Sequence, residues 1–389
     1  MRDRRHWLTR ERIVLYGTLM LVFFLAAAIM NVKTSRDGLV AGTHRPLGSD
    51  FIAFWGVSHL ALSGHAASAY DFDMRALTHA EQVAVPASDV SYPWNYPPAF
   101  VLLILHLALM PYFVAFWVFM ATTLAMYVLA FWRAVGQGLG LWCLAIFPAA
   151  WINFGGGQNG FLTAALAGGA LLCLPRRPVM SGVLIGLLSI KPHLAVLFPL
   201  ALVAAGAWRT IAVAAATGLA VNALGTAVLG TDVLWAFWRG LGHAQGMLAA
   251  GERFYWTKIP SVFVMVRSLG GAASLAYAVH AAAAAVAAWV VWRVWRASGD
   301  WMLRGAALMT ATFFISPYDY NYDLVWLAFP IAWLALVAQR EGWRALDREI
   351  LLAVALWPLL WFFPDWAFKV QLSPIPLAGL LWVIRRRVS

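Results

Sequence analysis

The sequence predicts an all-α polytopic membrane protein, a bundle of about 12 transmembrane helices, and three observations lead there. Of its 389 residues 62% are hydrophobic and only 12% charged, with a mean hydropathy of +0.74. Soluble domains carry about 25% charged residues, so the departure is too large for a generous soluble core. Apolar runs long enough to span a bilayer recur from residue 98 to the end, broken by short polar or Gly/Pro stretches. Arginines cluster between those runs, at Arg176-Arg177, Arg209, Arg293/Arg296/Arg304, Arg340/Arg344/Arg348 and Arg385-Arg386-Arg387, where topology determinants sit. The net charge of +11 is therefore spent on orientation. No basic stripe with interleaved aromatics suggests a nucleic-acid partner. The two cysteines, Cys143 and Cys173, lie in apolar runs and suggest neither a disulfide nor a metal site.

The elements follow in order. Ile13–Met30 comes after Arg2, Arg4, Arg5, Arg10 and Arg12 and is long enough to read as an uncleaved first helix. Residues 31–97 form a first outer loop, in which Phe51–Leu62 and Tyr70–Val83 are expected to be amphipathic helices on the membrane surface. Residues 98–110 read as a short re-entrant or interfacial helix, with Tyr112–Trp132 as the next span. Counting 98–110 as a full span would invert every later arginine cluster. Lys191-Pro192 splits one interval into two short legs, roughly 178–190 and 193–207. A second outer loop covers residues 231–268. One integral domain over 1–389 results, multi-pass in the cell (inner) membrane, with both termini cytoplasmic. The four lysines, Lys33, Lys191, Lys258 and Lys369, all fall on the outer side, which is where the chemistry is expected.

Five stretches could carry that chemistry. Asp50, in Gly48-Ser49-Asp50-Phe51, is a carboxylate at a membrane edge and fits either a general base or a helix cap. Tyr96, in Tyr92-Pro93-Trp94-Asn95-Tyr96-Pro97-Pro98, belongs to a stiff aromatic segment that suits a sugar-stacking wall or an interfacial belt. Gln158 and Asn159 follow three glycines and offer amides to hydroxyls or phosphate, although a tight turn explains the glycines equally. Lys191, followed by Pro192 and His193, places a charge between apolar legs. Such a charge calls for a cavity or a partner, and phosphate suits a compact ammonium, with snorkelling as the bland reading. Ser316-Pro317-Tyr318-Asp319-Tyr320-Asn321-Tyr322-Asp323 closes an outward hairpin as a polar, aromatic lining or as a plain solvated turn. The second outer loop adds Arg253 and Lys258.

Taken in order, these stretches resemble glycosyltransferase family 87, the polyprenol-phosphate-mannose-dependent mannosyltransferase-like proteins. The matching residues are Asp50-Phe51 with Leu62-Ser63-Gly64 and Ala69-Tyr70-Asp71, then Tyr96-Pro97-Pro98, Gly157-Gln158-Asn159 and Lys191-Pro192. They end with Ser261-Val262-Phe263 and Ser316-Pro317-Tyr318 with Tyr322-Asp323-Leu324. The resemblance implies a GT-C-like bundle with its active site on the outer face and Asp50 as the catalytic acidic residue. It also implies a polyprenyl phosphate sugar donor, a lipid or glycan acceptor among the membrane lipids, and mannose as the sugar. Some members carry histidine in the last motif, where this chain has tyrosines. On this reading Lys191, with His193 or Arg253, stabilises the leaving lipid phosphate. Tyr96, Gln158, Asn159, Lys258, Tyr318, Asp319, Tyr322 and Asp323 line the substrate site, and neither metal nor cofactor is expected. A transporter or flippase for a lipid-linked sugar is the alternative. It explains Lys191 and the glycine breaks but not the two long outer loops.

Overall fold

Residues 7–34, 39–40, 45–86, 93–136, 138–250, 256–360 and 369–388 are described by the structure, a computed structural model. It is helical almost throughout. The exception among the described residues is a pair of two-residue antiparallel strands, Leu39–Val40 and Arg45–Pro46.

Helix α1 (Arg10–Lys33) begins where the Thr9 hydroxyl accepts from the Arg12 amide, satisfying one of the free N–H groups of the first turn. At 24 residues it is about 36 Å long, enough to cross a bilayer. Only Gly17 and Phe24 of it are buried. Leu19, Phe23 and Met30 are all more than 60% exposed, a surface that lipid rather than water must cover.

The expected surface helix at 51–62 is present as α2 (Phe51–Leu62), but it does not lie on a surface. Residues 51–58 are buried without a break, so no face of the helix is polar and free. It is a core element held by side-chain bonds to the chain beyond it. Trp55 donates to the Met110 carbonyl at 3.0 Å. Ser58 donates to the Leu105 carbonyl at 2.8 Å and accepts from the Ala108 amide at 2.9 Å. The amphipathic expectation failed here because a nearly all-apolar helix was read through its neighbours. In α3 (Arg75–Ala84), by contrast, Leu77, Ala80 and Glu81 are buried on one face while Arg75, His79 and Gln82 are exposed.

Helix α4 (Pro98–Ile104) is a short piece followed by a 3₁₀ turn at Leu107–Leu109, too short to span. Helix α5 (Tyr112–Val135) has full span length. Helices α6 (Leu139–Ala145) and α7 (Pro148–Gly156) are bent by 45° at Pro148, which lacks the N–H that would continue the helix. Helices α8 (Gly160–Cys173), α9 (Pro178–Leu187) and α10 (Leu197–Ala204) form the centre, with 3₁₀ turns at Leu188–Ile190 and Pro192–Ala195 between the last two. The remaining helices are α11 (Trp208–Leu229), α12 (Thr231–Ala250), α13 (Val262–Ser268), α14 (Ala273–Ala297), α15 (Trp301–Ala311), α16 (Ala328–Glu341), α17 (Asp347–Leu360) and α18 (Pro374–Arg385). A 3₁₀ segment, Asn321–Leu327, leads into α16. Helix α5 packs along α8, α9 along α11, and α15 along α16. At one end Arg386 and Arg387 both pair with the buried Asp347, closing α18 onto α17.

The expectation of about twelve spans is not met by helix length. Among the described residues five helices are long and apolar enough to cross a membrane, at 10–33, 112–135, 208–229, 273–297 and 321–341. Counting the bent α6–α7 pair as one span makes six. The physical reason is local. Pro178, Pro192 and Pro374 start new helices after polar breaks, and 3₁₀ turns interrupt others, leaving pieces of 10–17 residues. The chain is nonetheless a multi-pass membrane protein.

Candidate active site

The site forms where three helix junctions meet the segment before α2. Asp50 sits at the start of α2, yet its side chain makes no capping hydrogen bond to that helix. Its carboxylate is engaged elsewhere. Ser49 donates to Oδ1 at 3.1 Å and the Gln158 amide donates to Oδ2 at 3.1 Å. The Asp50 amide donates to the Gly156 carbonyl at 3.0 Å, so main chain and side chain both dock on the α7–α8 turn. That docking explains the glycines. Gly157 has φ +64°, and a Cβ there would lie 2.5 Å from the Phe51 Cβ. The Asp50 side chain keeps 13% of its surface exposed, and Lys258 Nζ stands 3.8 Å from Oδ1.

Tyr96 extends this group. Its hydroxyl donates to Gln158 Oε1 at 3.3 Å, and Tyr70 donates to the Tyr96 carbonyl at 2.6 Å, fixing the Pro-flanked segment. Burial raises the Tyr96 phenol above its ordinary pKa, and the Asp323 charge adds to this, so it acts as a neutral donor. Tyr96 also neighbours Tyr322 and Asn159, and so connects Asp50 to a second group of charges. Asn159 is fully buried, and neither of its amide atoms has a hydrogen-bond partner among the described residues.

The second group is built on Lys191, at the tip between α9 and α10. The partner its charge requires is a carboxylate of the chain. Nζ donates to both oxygens of Asp323, at 2.7 and 2.6 Å, and lies 4.6 Å from the centre of the Tyr322 ring. Tyr320 and Tyr322 stack at 5.2 Å with an interplanar angle of 3°, and the Tyr320 amide reaches Asp323 Oδ2 at 3.4 Å. The structure thus gives the Lys191 charge a partner within the chain, and two of its three donors are engaged there. Neither the snorkelling nor the solvated-turn reading fits, since Lys191, Tyr322 and Asp323 are all buried.

His193 Nε2 lies 3.7 Å from Asp319 Oδ1, too far for a hydrogen bond. Both Asp319 oxygens are buried without a hydrogen-bond partner among the described residues. Burial, then the charge of Asp323, pushes the Asp319 carboxyl well above the ordinary carboxylate range, and Lys191 offsets this only in part. Asp319 thus favours its neutral form, while Asp323 beside it is the partner of Lys191. Tyr318 departs from the polar lining, packing against an apolar cluster of Ile259, Phe263, Val264 and Ala276. Arg253 lies outside the described residues.

Two features were missed in the sequence. Ser49 serves as a second donor to Asp50, and the Asn321 amide donates to the Lys258 carbonyl at 2.8 Å. The latter registers the second outer loop against the Tyr318–Asp323 hairpin, a backbone contact with no side-chain signature. What the arrangement offers is an accessible carboxylate held by two donors, a lysine beside it, and amide and phenol groups leading inward. A general base needs that combination of accessibility and fixed orientation. Among the described residues no group of three or more His, Cys, Asp or Glu side chains could hold a metal ion.

Over residues 94–317, more than half its length, the chain matches the model of glycosyltransferase family 87. The matched segment includes Tyr96, Gln158, Asn159, Lys191, His193 and Lys258, while Asp50 and the Tyr318–Asp323 hairpin flank it. No curated protein and no solved structure matches the chain. With a multi-pass helical body and a match of that extent, the protein belongs to glycosyltransferase family 87 and is a membrane glycosyltransferase.

Proposed function

We propose that the protein transfers a hexose such as mannose from a polyprenyl phosphate carrier to a hydroxyl of a lipid or glycan acceptor on the outer face of the membrane. The observation that carries this reading is Asp50, whose carboxylate is turned away from its own helix, held by Ser49 and Gln158, and left partly accessible beside Lys258.

In the proposed step Asp50 takes the proton of the acceptor hydroxyl as its oxygen attacks the anomeric carbon. The new C–O bond forms as the bond to the carrier phosphate breaks, and the electron pair leaves with the polyprenyl phosphate. One displacement inverts the anomeric centre. Lys258, whose ammonium lies 3.8 Å from the Asp50 carboxylate, is assigned on this reading to the carrier phosphate. Lys191 contributes through the donor it keeps after binding Asp323, since an ammonium has three. Tyr96, Gln158 and Asn159 meet sugar hydroxyls, and the buried, unpaired Asn159 amide favours that assignment.

The test is turnover of a purified polyprenyl phosphate sugar with candidate lipid and glycan acceptors. Release of polyprenyl phosphate with formation of a glycosylated acceptor, lost in Asp50→Asn, supports the reading. Movement of intact lipid-linked sugar across a bilayer without transfer would replace it with the flippase alternative.

A further inference from the structure

A cavity of about 410 Å³ opens at the end of the bundle opposite Asp50. Helix α8 relates the two places. Its first residue follows Gln158 and Asn159, and after 14 residues, about 20 Å, its last turn reaches this cavity. The walls include Leu174, Pro178, Trp208, Arg209, Trp301 and Arg304. Two of these are arginines, and among the described residues the lining has no carboxylate.

Arg304 faces the cavity without an ion-pair or hydrogen-bond partner among the described residues for its buried Nε, and its guanidinium lies 5.9 Å from the Trp295 ring. The nearest acid in sequence does not balance it. Asp300 caps α15 through the Met302 and Leu303 amides and pairs with Arg340. Arg209 adds a second, exposed guanidinium at the start of α11. Helices α9 and α11 also begin at this cavity, so the positive ends of two helix dipoles reinforce the two side chains, while that of α15 is capped by Asp300. Trp208 is 65% exposed and Trp301 36%, and such tryptophans at the mouth mark the level of lipid headgroups.

We propose that this cavity binds a phosphate ester, held by Arg209 and Arg304, and that the ester is the headgroup of an anionic membrane phospholipid. Guanidinium suits a phosphate oxygen pair better than ammonium does, and basic pockets between membrane helices hold anionic headgroups by this chemistry. The proposal is independent of the reaction at Asp50.

The full chain, purified in detergent, is titrated with phosphatidylglycerol, with phosphatidylcholine, and with glycerol 3-phosphate as a soluble competitor, with bound lipid counted by native mass spectrometry. Phosphatidylglycerol binds in preference to phosphatidylcholine, and Arg304→Gln weakens it about tenfold, the effect of losing a charge-assisted contact. Arg209→Gln, on an exposed side chain that packing does not depend on, weakens it in the same direction and keeps the test valid if the half-buried Arg304 change harms folding. Arg348→Gln, which removes a charge elsewhere, leaves the preference unchanged. Displacement by glycerol 3-phosphate at matching concentration supports the phosphate site and assigns it to a soluble ester, whereas resistance to it supports the lipid. Equal binding of the two lipids, or an equal loss in Arg348→Gln, overturns the proposal.

Discussion

Lys191 and Asp323, 132 residues apart, form a bidentate ion pair whose side chains are 4% and 0% exposed. The pair joins the α9–α10 tip to the 3₁₀ segment that enters α16, and it decides how substitutions at either residue will behave. Removing one partner of a buried pair leaves an uncompensated charge and costs about 3–5 kcal/mol, while replacing both with apolar groups is often neutral. Lys191→Met and Asp323→Leu should each lower the thermal unfolding temperature, and the double variant should recover most of the loss. A double variant that is stable yet turns over no donor separates the catalytic contribution of Lys191 from its structural one. Single variants as stable as the parent would deny the pair its structural role.

Asp50→Asn keeps size and most hydrogen bonding but removes the proton acceptor. Turnover should fall by about 10²–10⁴-fold with donor binding largely retained. Asp50→Ala should be no more active. If the Asn variant turns over near the parent rate and only Ala is impaired, Asp50 serves structure rather than proton transfer.

Asp319, the acid beside Asp323, should behave in the opposite way. The Asp319 carboxyl is raised above its unfolded value of about 3.9, so the folded state holds more protons than the unfolded state between the two pKa values. Its contribution to stability is therefore full below about pH 4 and declines as pH rises toward the folded pKa. Asp319→Asn, which mimics the protonated acid, should be neutral or stabilising at pH 7 and should flatten the decline. Unfolding measured from pH 4 to 9 checks this, and a strongly destabilised Asn variant at pH 7 would show that Asp319 is ionised.

Gly160, the first residue of α8, lies close against the hairpin. A Cβ there would lie 2.5 Å from Asn153 Oδ1 and 2.7 Å from the Tyr322 carbonyl. The Asn153 oxygen also accepts from the Gly160 amide at 2.8 Å, so it cannot simply move aside. Gly160→Ala should cost about 1–3 kcal/mol and displace Tyr322 from Lys191. Unchanged stability and turnover would mean that the hairpin yields freely.

Reporter fusions after Arg209 and after Arg296 should both report a cytoplasmic location, because the arginine clusters follow the positive-inside bias. An extracytoplasmic signal at either point would invert the bundle and place Asp50 on the inner face.

The membrane class and the residues around Asp50 were legible because they leave local marks. These are uninterrupted apolar runs, a carboxylate beside aromatics, and glycines before Gln158. The Lys191–Asp323 pair was not, since the sequence shows that a charge needs a partner without saying which one, and a carboxylate 132 positions away leaves no local mark. Asp50 and Asp323 were both singled out, but only folding makes one accessible and the other the counter-ion of a lysine. The expected twelve spans counted short legs such as 178–190 and 193–207 as crossings, whereas helix length alone gives five or six among the described residues. Phe51–Leu62 was misjudged for a related reason. A helix apolar on every face belongs inside a protein, and its placement near a charged loop drew it toward the surface.

The separation of Lys191 from Asp323 also has a cost in time. A ribosome adding about 5–20 residues per second takes about 7–26 s to cover the 132 positions between them. Throughout that interval the emerging lysine has no counter-ion to settle against, and it must stay near water at the membrane edge while the later helices are made. The α9–α10 tip can therefore close only after the segment bearing Asp323 has arrived, so the order of synthesis makes the end of the molecule that holds Lys191 one of the last parts to assemble.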